Sequence, residues 1–182
     1  QVAGHRPQLL LAVPHGADGR YRVDEPIRLA DGMRLVCDPG VRVEAGEGDG
    51  RGIVLANADR EHGNDHIAVE GGAWVGAMSF CRVRDIRLEG FTIRNDGFAI
   101  TLDGAERFVV RDIRIEQRGE RPVNQDGIHV FGPARDGVIH NIHGRTFDDM
   151  IALNADDNDG PHGPIVGVTI DGVRAEDTYN FL

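Results

Sequence analysis

Three carboxylates stand immediately before short apolar runs, where acidic side chains are poor strand formers. Asp148 and Asp149 precede Met150 in "FDDMIAL", and Asp126 precedes the apolar run of "DGIHVFG". Carboxylates that lie side by side repel one another, and the repulsion raises the pKa of at least one of them. Such a group can do acid–base chemistry, in which one carboxyl donates a proton and another activates water. The pattern therefore indicates an acid–base site.

A turn-forming role is the alternative interpretation, because Asp tolerates the tight backbone geometry of turns. Asp-Gly pairs occur repeatedly in the sequence, for example those that begin at Asp96, Asp103 and Asp171. Asp126 is also followed by a glycine and fits this interpretation. The pair Asp148 and Asp149 is followed by Met150 instead, so no glycine supports a turn there. Both interpretations remain open at the level of sequence.

The segments that must position these carboxylates form an internal repeat. Each unit holds a strand pattern, a turn and a second strand pattern, and units recur at roughly 22 to 31 residues, as in solenoid coils. The second strands of the four clearest units read "GFAITL", "GIHVFG", "MIALNA" and "YNFL". Period-two alternation predicts four inward side chains, namely Ile128, Val130, Ile151 and Leu153. It predicts that His129 and Ala152 point outward.

The repeat and the composition together predict one all-β domain. The 182 residues include 25 Gly and only 5% aromatic side chains, which is typical of many short strands joined by turns. Helical patterns of convincing length are missing between the strands, so a parallel β-solenoid is expected rather than an α/β fold. A β-sandwich is the main alternative, but it gives no reason for acidic residues to recur before each strand. We predict a single domain over residues 1–182, with an N-terminal cap and first coils in 1–50 and repeated coils in 51–182.

Alignment of the apolar positions brings the three carboxylates together. If Ile128 stacks on Ile151, then Asp126 stacks on Asp149, and Asp148 lies one residue earlier. Adjacent strands are separated by about 4.8 Å. We therefore expect one acidic patch at the start of two neighbouring strands.

The motifs around this patch resemble those of the polygalacturonase family of glycoside hydrolases. "NQDGIH" matches the family's Asn-x-Asp motif, "DDMIAL" matches its Asp-Asp pair, and "GRYRV" and "DPGVRVEA" resemble its early coils. The resemblance implies a right-handed parallel β-helix that hydrolyses a glycosidic bond of a poly- or oligosaccharide with inversion. It implies Asp148 as the general acid, Asp126 and Asp149 as the residues that activate water, and Asn124 as a supporting residue. The family's Gly-His-Gly and Arg-x-Lys motifs have no match, so the sugar and its linkage stay open.

Two further residues are candidates for sugar contacts on the floor of the presumed groove. His129 should face outward beside Asp126, and Asn154 should face outward beyond Asp149. For each of them, an exposed side chain without a role is an equal alternative. No metal site and no cofactor is predicted.

Other activities remain open on the same fold. A polysaccharide lyase or epimerase would need a cation, such as Ca²⁺ held by the acidic trio, to neutralise a uronate. A non-catalytic sugar-binding solenoid is the third possibility. It would bind a saccharide without turnover.

Charge and chain ends limit the remaining partners. The net charge of −10 argues against nucleic acid, and no apolar run reaches membrane-spanning length. A secreted or periplasmic location is favoured, although no targeting motif defines it. The sequence ends in "YNFL" as a strand begins, and a solenoid needs a cap over its last coil. We expect either a longer natural protein or an open end covered by a partner, including a second copy in a homo-oligomer.

Overall fold

The computed structural model describes residues 8–12, 18–46, 52–117, 125–157 and 160–176, and these residues form strands and turns without a helix. The described strands are β1 (Gln8–Leu11), β2 (Arg20–Val23), β3 (Ile27–Leu29), β4 (Arg34–Cys37), β5 (Arg42–Ala45), β6 (Ile53–Asn57), β7 (Ala68–Glu70), β8 (Ala73–Val75), β9 (Ala77–Cys81), β10 (Arg87–Glu89), β11 (Thr92–Arg94), β12 (Ile100–Asp103), β13 (Val109–Glu116), β14 (Ile128–Phe131), β15 (Ala134–Arg145), β16 (Ile151–Asn154) and β17 (Ile165–Ala175). Among the described residues, no helix is long and apolar enough to cross a membrane.

Every strand pairing in the described part of the chain is parallel. Strands of one repeat stack on the equivalent strands of the next, as in the series β6, β9, β12, β14 and β16, which forms one sheet together with β3. The other sheet contains the series β4, β7, β10, β13, β15 and β17, and β13 also pairs with β11. The prediction of an all-β parallel fold is confirmed, and an antiparallel sandwich is excluded for these residues.

Stacked apolar side chains form the core between the sheets. One column joins equivalent positions of five successive strands, and its members are completely buried: Leu35, Val69, Leu88, Val110 and Ile139. Burial of one such side chain stabilises the fold by roughly 1.5–3 kcal/mol. Trp74 is also buried in this core. The repeat therefore aligns strands because equivalent apolar residues cover one another.

Polar residues in left-handed backbone conformation turn the corners of the coil. Asp112 and Asn141 occupy equivalent positions in β13 and β15, with φ of 56° and 52°. Asn and Asp adopt this region more easily than other non-glycine residues. The Asn141 side-chain amide donates a hydrogen bond to Asp112 Oδ1 at 2.7 Å. At this corner the Asp and Asn side chains stabilise the bend of the backbone.

Burial in β16 does not follow the predicted alternation. Ile151 is buried as expected, but Ala152 is also buried and Leu153 is 41% exposed. Leu153 stacks on Val130, but β16 is the last strand of its sheet and no further described strand covers it. Exposure at this position follows from the edge of the sheet and not from the sequence pattern.

Candidate active site

The three predicted carboxylates converge at the start of β14 and β16. Ile128 pairs with Ile151 in the predicted register, and the Gly127 amide donates to the Asp149 carbonyl at 2.9 Å. One carboxylate oxygen from each of Asp126, Asp148 and Asp149 lies within 4.8 Å of the others. In the described residues this is the single group of three potential metal-ligating side chains with such spacing.

Backbone geometry separates Asp126 from the Asp-Gly pairs that begin at Asp103 and Asp171. Gly104 and Gly172 both have φ of +67°, so these pairs use the left-handed freedom of glycine. Gly127 is not in that region. A Cβ at Gly127 would lie 2.6 Å from the Met150 carbonyl oxygen, so this glycine is required by close packing. Turn chemistry therefore does not explain the carboxylate that precedes it.

Asp126 is a buried hydrogen-bond acceptor. It is 4% exposed, its Oδ1 accepts the Asp149 amide N–H at 3.1 Å, and its Oδ2 lies 2.5 Å from His129 Nδ1. An ionised carboxylate is an acceptor only, and it suits this arrangement of donors. Asp126 is thereby fixed beside Asp149 in a set orientation.

Asp149 has the opposite electrostatic environment. Burial raises the pKa of its carboxyl above the usual range, and the negative charges of Asp126 and Asp148 raise it further. His129 lowers this pKa by a smaller amount. Asp149 therefore retains a proton to higher pH than an ordinary Asp. It lies beside Asp126, whose carboxylate is held in place by its own hydrogen bonds.

The prediction that His129 forms an open groove floor is wrong. The side chain is on the opposite side of β14 from Ile128 and Val130, but it is only 2% exposed. Its ring lies between those of Phe98 and Phe131, with centroid distances of 4.5 and 4.1 Å. Because aromatic rings cover the imidazole, its two ring nitrogens contact neighbouring side chains and not solvent.

Asn154 is half-buried and already contacts protein groups. Its Nδ2 atom lies 3.2 Å from His129 Nε2 and donates to Asp157 Oδ2 at 3.1 Å. Asn154 was expected to face outward beyond Asp149, and in the structure its side-chain amide also contacts the His129 ring. The predicted supporting residue Asn124 lies outside the described residues.

Several residues at this site were not identified from the sequence. Buried Gln117 donates to the Gly97 carbonyl at 2.7 Å and to the Asp126 carbonyl at 2.9 Å. Buried Thr146 donates to the Asp148 carbonyl at 2.9 Å. Polar side chains are mostly exposed in proteins, so their type gave no reason to expect burial. The only available signal was the position of Thr146 just before the Asp148–Asp149 pair, and Gln117 had no comparable signal.

The site has the donor set of a divalent-cation site as well as that of an acid–base site. Three carboxylate oxygens at this spacing could supply part of the six to eight oxygen ligands of Ca²⁺.

Comparison with known proteins adds no relationship, since no family model, no curated protein and no solved structure matches the chain. The geometry of the site and its motifs are therefore the basis for inferring a function.

Proposed function

We propose that this chain is a carbohydrate-active glycoside hydrolase that cleaves a poly- or oligosaccharide. The observation that carries the proposal is the convergence of Asp126, Asp148 and Asp149 within 4.8 Å at the start of two stacked strands. Fold formation does not require like charges to crowd in this way, and perturbed carboxyls are concentrated at functional sites.

The proposal includes a right-handed parallel β-helix as the scaffold. Parallel stacking of equivalent strands supports this architecture, because each strand is joined to its parallel partner by the other strands of its own repeat. Parallel crossover connections are right-handed in nearly all proteins. The resemblance to polygalacturonases points to the same handedness.

Chemical roles follow from the resemblance and from the electrostatics of the site. Asp148 donates a proton to the leaving oxygen, while Asp126 and Asp149 activate water. The raised pKa of Asp149 supports a proton on the Asp148–Asp149 pair, and the variants below decide which member of the pair donates it. The two contacts of Asp126, with the Asp149 N–H and with His129 Nδ1, orient its carboxyl group and support the role of a base.

The stereochemical course is a separate part of the proposal. The resemblance predicts inversion, whereas inverting enzymes typically hold their carboxyls about 6.5–9.5 Å apart and retaining enzymes about 5–5.5 Å apart. The 4.8 Å limit joins one oxygen of each residue and not the carboxyl groups as wholes, so it does not by itself select a course. Proton NMR of the first-formed anomer decides between the two courses.

The proposal is tested with activated aryl glycosides and unactivated oligosaccharides of the same sugars. Asp148→Asn should lower the rate on unactivated substrates by about 10²–10⁴-fold, the usual contribution of general acid catalysis. It should affect activated substrates much less, because their leaving groups need little protonation. Asp149→Asn should slow both classes alike if Asp149 activates water, and only unactivated substrates if it is the donor.

Asp171→Asn is the matched control. Asp171 also precedes a glycine, but its carboxylate is exposed and contacts His140 at 3.3 Å. This variant should keep the parent rate on both substrate classes. The proposal is wrong if the folded parent protein hydrolyses no glycoside in a broad panel, or if Asp148→Asn and Asp149→Asn both retain parent rates.

A lyase or epimerase is a second candidate, favoured by the spacing of the three oxygens for a divalent cation. Lyase action requires a base that removes the α-proton of a uronate, and it gives an unsaturated product that absorbs in the ultraviolet. Loss of activity on addition of a chelator, with recovery on addition of Ca²⁺, would support this candidate over hydrolysis. Saccharide binding without turnover would support a non-catalytic module.

A further inference from the structure

A continuous series of polar contacts leads from the surface to the buried carboxylate of the trio. Exposed Asp157 contacts the Asn154 amide at 3.1 Å, and the same amide nitrogen lies 3.2 Å from His129 Nε2. The other ring nitrogen of His129 lies 2.5 Å from Asp126 Oδ2. Four side chains therefore form one pathway that ends at the candidate base.

Hydrogen-bond chemistry fixes the position of every proton in this series. The ionised Asp157 can only accept, so the Asn154 NH₂ group must face it. That NH₂ group also faces His129 Nε2, which must then be an unprotonated acceptor. The single ring proton of a neutral His129 lies on Nδ1, where it is donated to Asp126.

Burial prevents His129 from changing this arrangement easily. Its ring is enclosed by Phe98 and Phe131 and is 2% exposed. Rotation of the ring would require displacement of both aromatic side chains. The same enclosure keeps the imidazole away from any bound saccharide, so it cannot itself be a catalytic residue.

We infer that Asn154, held by Asp157, locks His129 in the neutral Nδ1–H tautomer and makes it a positioning residue for Asp126. The lock keeps Asp126 an oriented hydrogen-bond acceptor beside Asp149. The effect on catalysis rests on the proposed function, whereas the tautomer is a property of the folded protein alone. A ring nitrogen tautomer set by a second hydrogen-bond partner is a general feature of histidine sites.

The tautomer is measured by ¹⁵N NMR of the histidine rings in the labelled protein. His129 should show a protonated Nδ1 and an unprotonated Nε2 at neutral pH. His62 is an internal comparison, because its Nδ1 also contacts a carboxylate, Asp59, at 3.2 Å while its ring is exposed. A protonated Nε2 on His129 in the parent protein would overturn the inference.

Asn154→Asp tests what sets the tautomer. It replaces the NH₂ donor by an acceptor of the same shape, so Nε2 should gain a proton and His129 should become an imidazolium between two carboxylates. Hydrolysis should fall by about 10- to 100-fold, by analogy with outer hydrogen bonds that orient metal ligands. An unchanged Nε2 signal in this folded variant would contradict the inference.

Asp157→Ala provides a second variant in case Asn154→Asp does not fold. It removes the acceptor of the Asn154 NH₂ group, so the Asn154 amide can rotate and the Nε2 atom of His129 should exchange between protonated and unprotonated forms. An unaltered tautomer would show that Asp157 does not hold the amide. If the parent protein hydrolyses no glycoside, the proposed function fails, while the NMR measurements still decide the tautomer.

Discussion

Two clusters of polar side chains lie at bends of the coil, and their carboxyls have opposite electrostatic environments. The first, the amide cluster, contains Asn57 and Asn64 with the carboxylates of Asp31 and Asp59. The Asn64 side chain donates to Asp31 and lowers the pKa of that carboxyl, and the His62 amide does the same for Asp59. Each carboxylate in this cluster is matched by hydrogen-bond donors.

The second cluster is the acid cluster of Asp126, Asp148 and Asp149. Here carboxylates crowd one another within 4.8 Å, and the pKa of Asp149 is raised by burial and by the other two charges. The adjacent Gln125 is 1% exposed, and its Oε1 has no hydrogen-bond partner among the residues that the structure describes. Buried acceptors without partners are uncommon and costly in folded proteins.

The difference indicates which cluster serves the fold. Asn57 is completely buried, accepts the Cys81 amide N–H at 2.8 Å and donates to the Cys81 carbonyl at 3.0 Å. Asn57 therefore joins two neighbouring repeats, and its hydrogen bonds offset the free-energy cost of burying its amide. The acid cluster contains repulsion that folding does not need, which is expected where function constrains the residues.

Asp126→Asn should give the largest effect on activity. It removes the charge of the candidate base while keeping its size, so hydrolysis should fall by about 10²–10⁴-fold, or roughly 3–5 kcal/mol in the activation barrier. The free energy of unfolding should change far less, by about 1–2 kcal/mol. Steady-state kinetics and urea denaturation provide the two measurements. A stability loss without a rate loss would make the acid cluster structural, like the amide cluster.

Asn57→Ala should show the reverse behaviour. It leaves the buried Cys81 N–H without its partner and removes three donor contacts, so unfolding should become easier by about 2–4 kcal/mol. The rate per folded molecule should be unchanged. Urea denaturation followed by fluorescence of buried Trp74 reports the loss. Asn64→Ala is a matched comparison in the same cluster, since it also removes buried amide contacts.

Much of the acid cluster could be predicted because it depends on the repeat. Apolar spacing was sufficient to stack Ile128 on Ile151, and the observed register follows it. The same register brings Asp126 to Asp149. When residues occupy equivalent positions of successive repeats, the spacing between strands is enough to predict where they lie.

Other parts of the site depend on contacts that the repeat pattern of the sequence does not predict. Phe98 precedes a strand and Phe131 ends one, yet both cover His129, so an expected groove residue became a buried one. Leu153 has the inward parity of Ile151, but its exposure depends on whether another strand stacks upon it. Burial in these cases is set by three-dimensional neighbours and not by side-chain type.

The pH dependence of stability should separate the two clusters by sign. The folded pKa of Asp149 is raised, so its carboxyl destabilises the fold as pH rises from the usual Asp range, 3.8 and above, through the folded value. Asp149→Asn should therefore match the parent below this range and exceed it at neutral pH, by up to about 1 kcal/mol for a partly exposed group.

Asp59→Asn is the control with opposite sign. The folded pKa of Asp59 is lowered, so its charge stabilises the fold above the usual Asp range, and this contribution is lost as pH falls through the folded value. The variant should be less stable than the parent at neutral pH and equal to it in strong acid. Thermal unfolding from strong acid to pH 8 gives both comparisons. The same sign for the two variants would remove the electrostatic distinction between the clusters.

Gln125→Met should give the smallest effect and tests the unpartnered acceptor directly. The substitution removes the buried Oε1 and also the hydrogen bond from Gln125 Nε2 to the Asp96 carbonyl at 2.8 Å. Release of an unsatisfied acceptor offsets the loss of one hydrogen bond, since each is worth about 1 kcal/mol, so stability should change by less than about 1 kcal/mol. Asn57→Leu, the equivalent change in the amide cluster, removes only satisfied contacts and should cost several times more. Urea denaturation of both variants measures the contrast. A large loss in Gln125→Met would mean that the Oε1 atom has a partner in solution, such as an ordered water, and that the acid cluster is hydrogen-bonded as completely as the amide cluster.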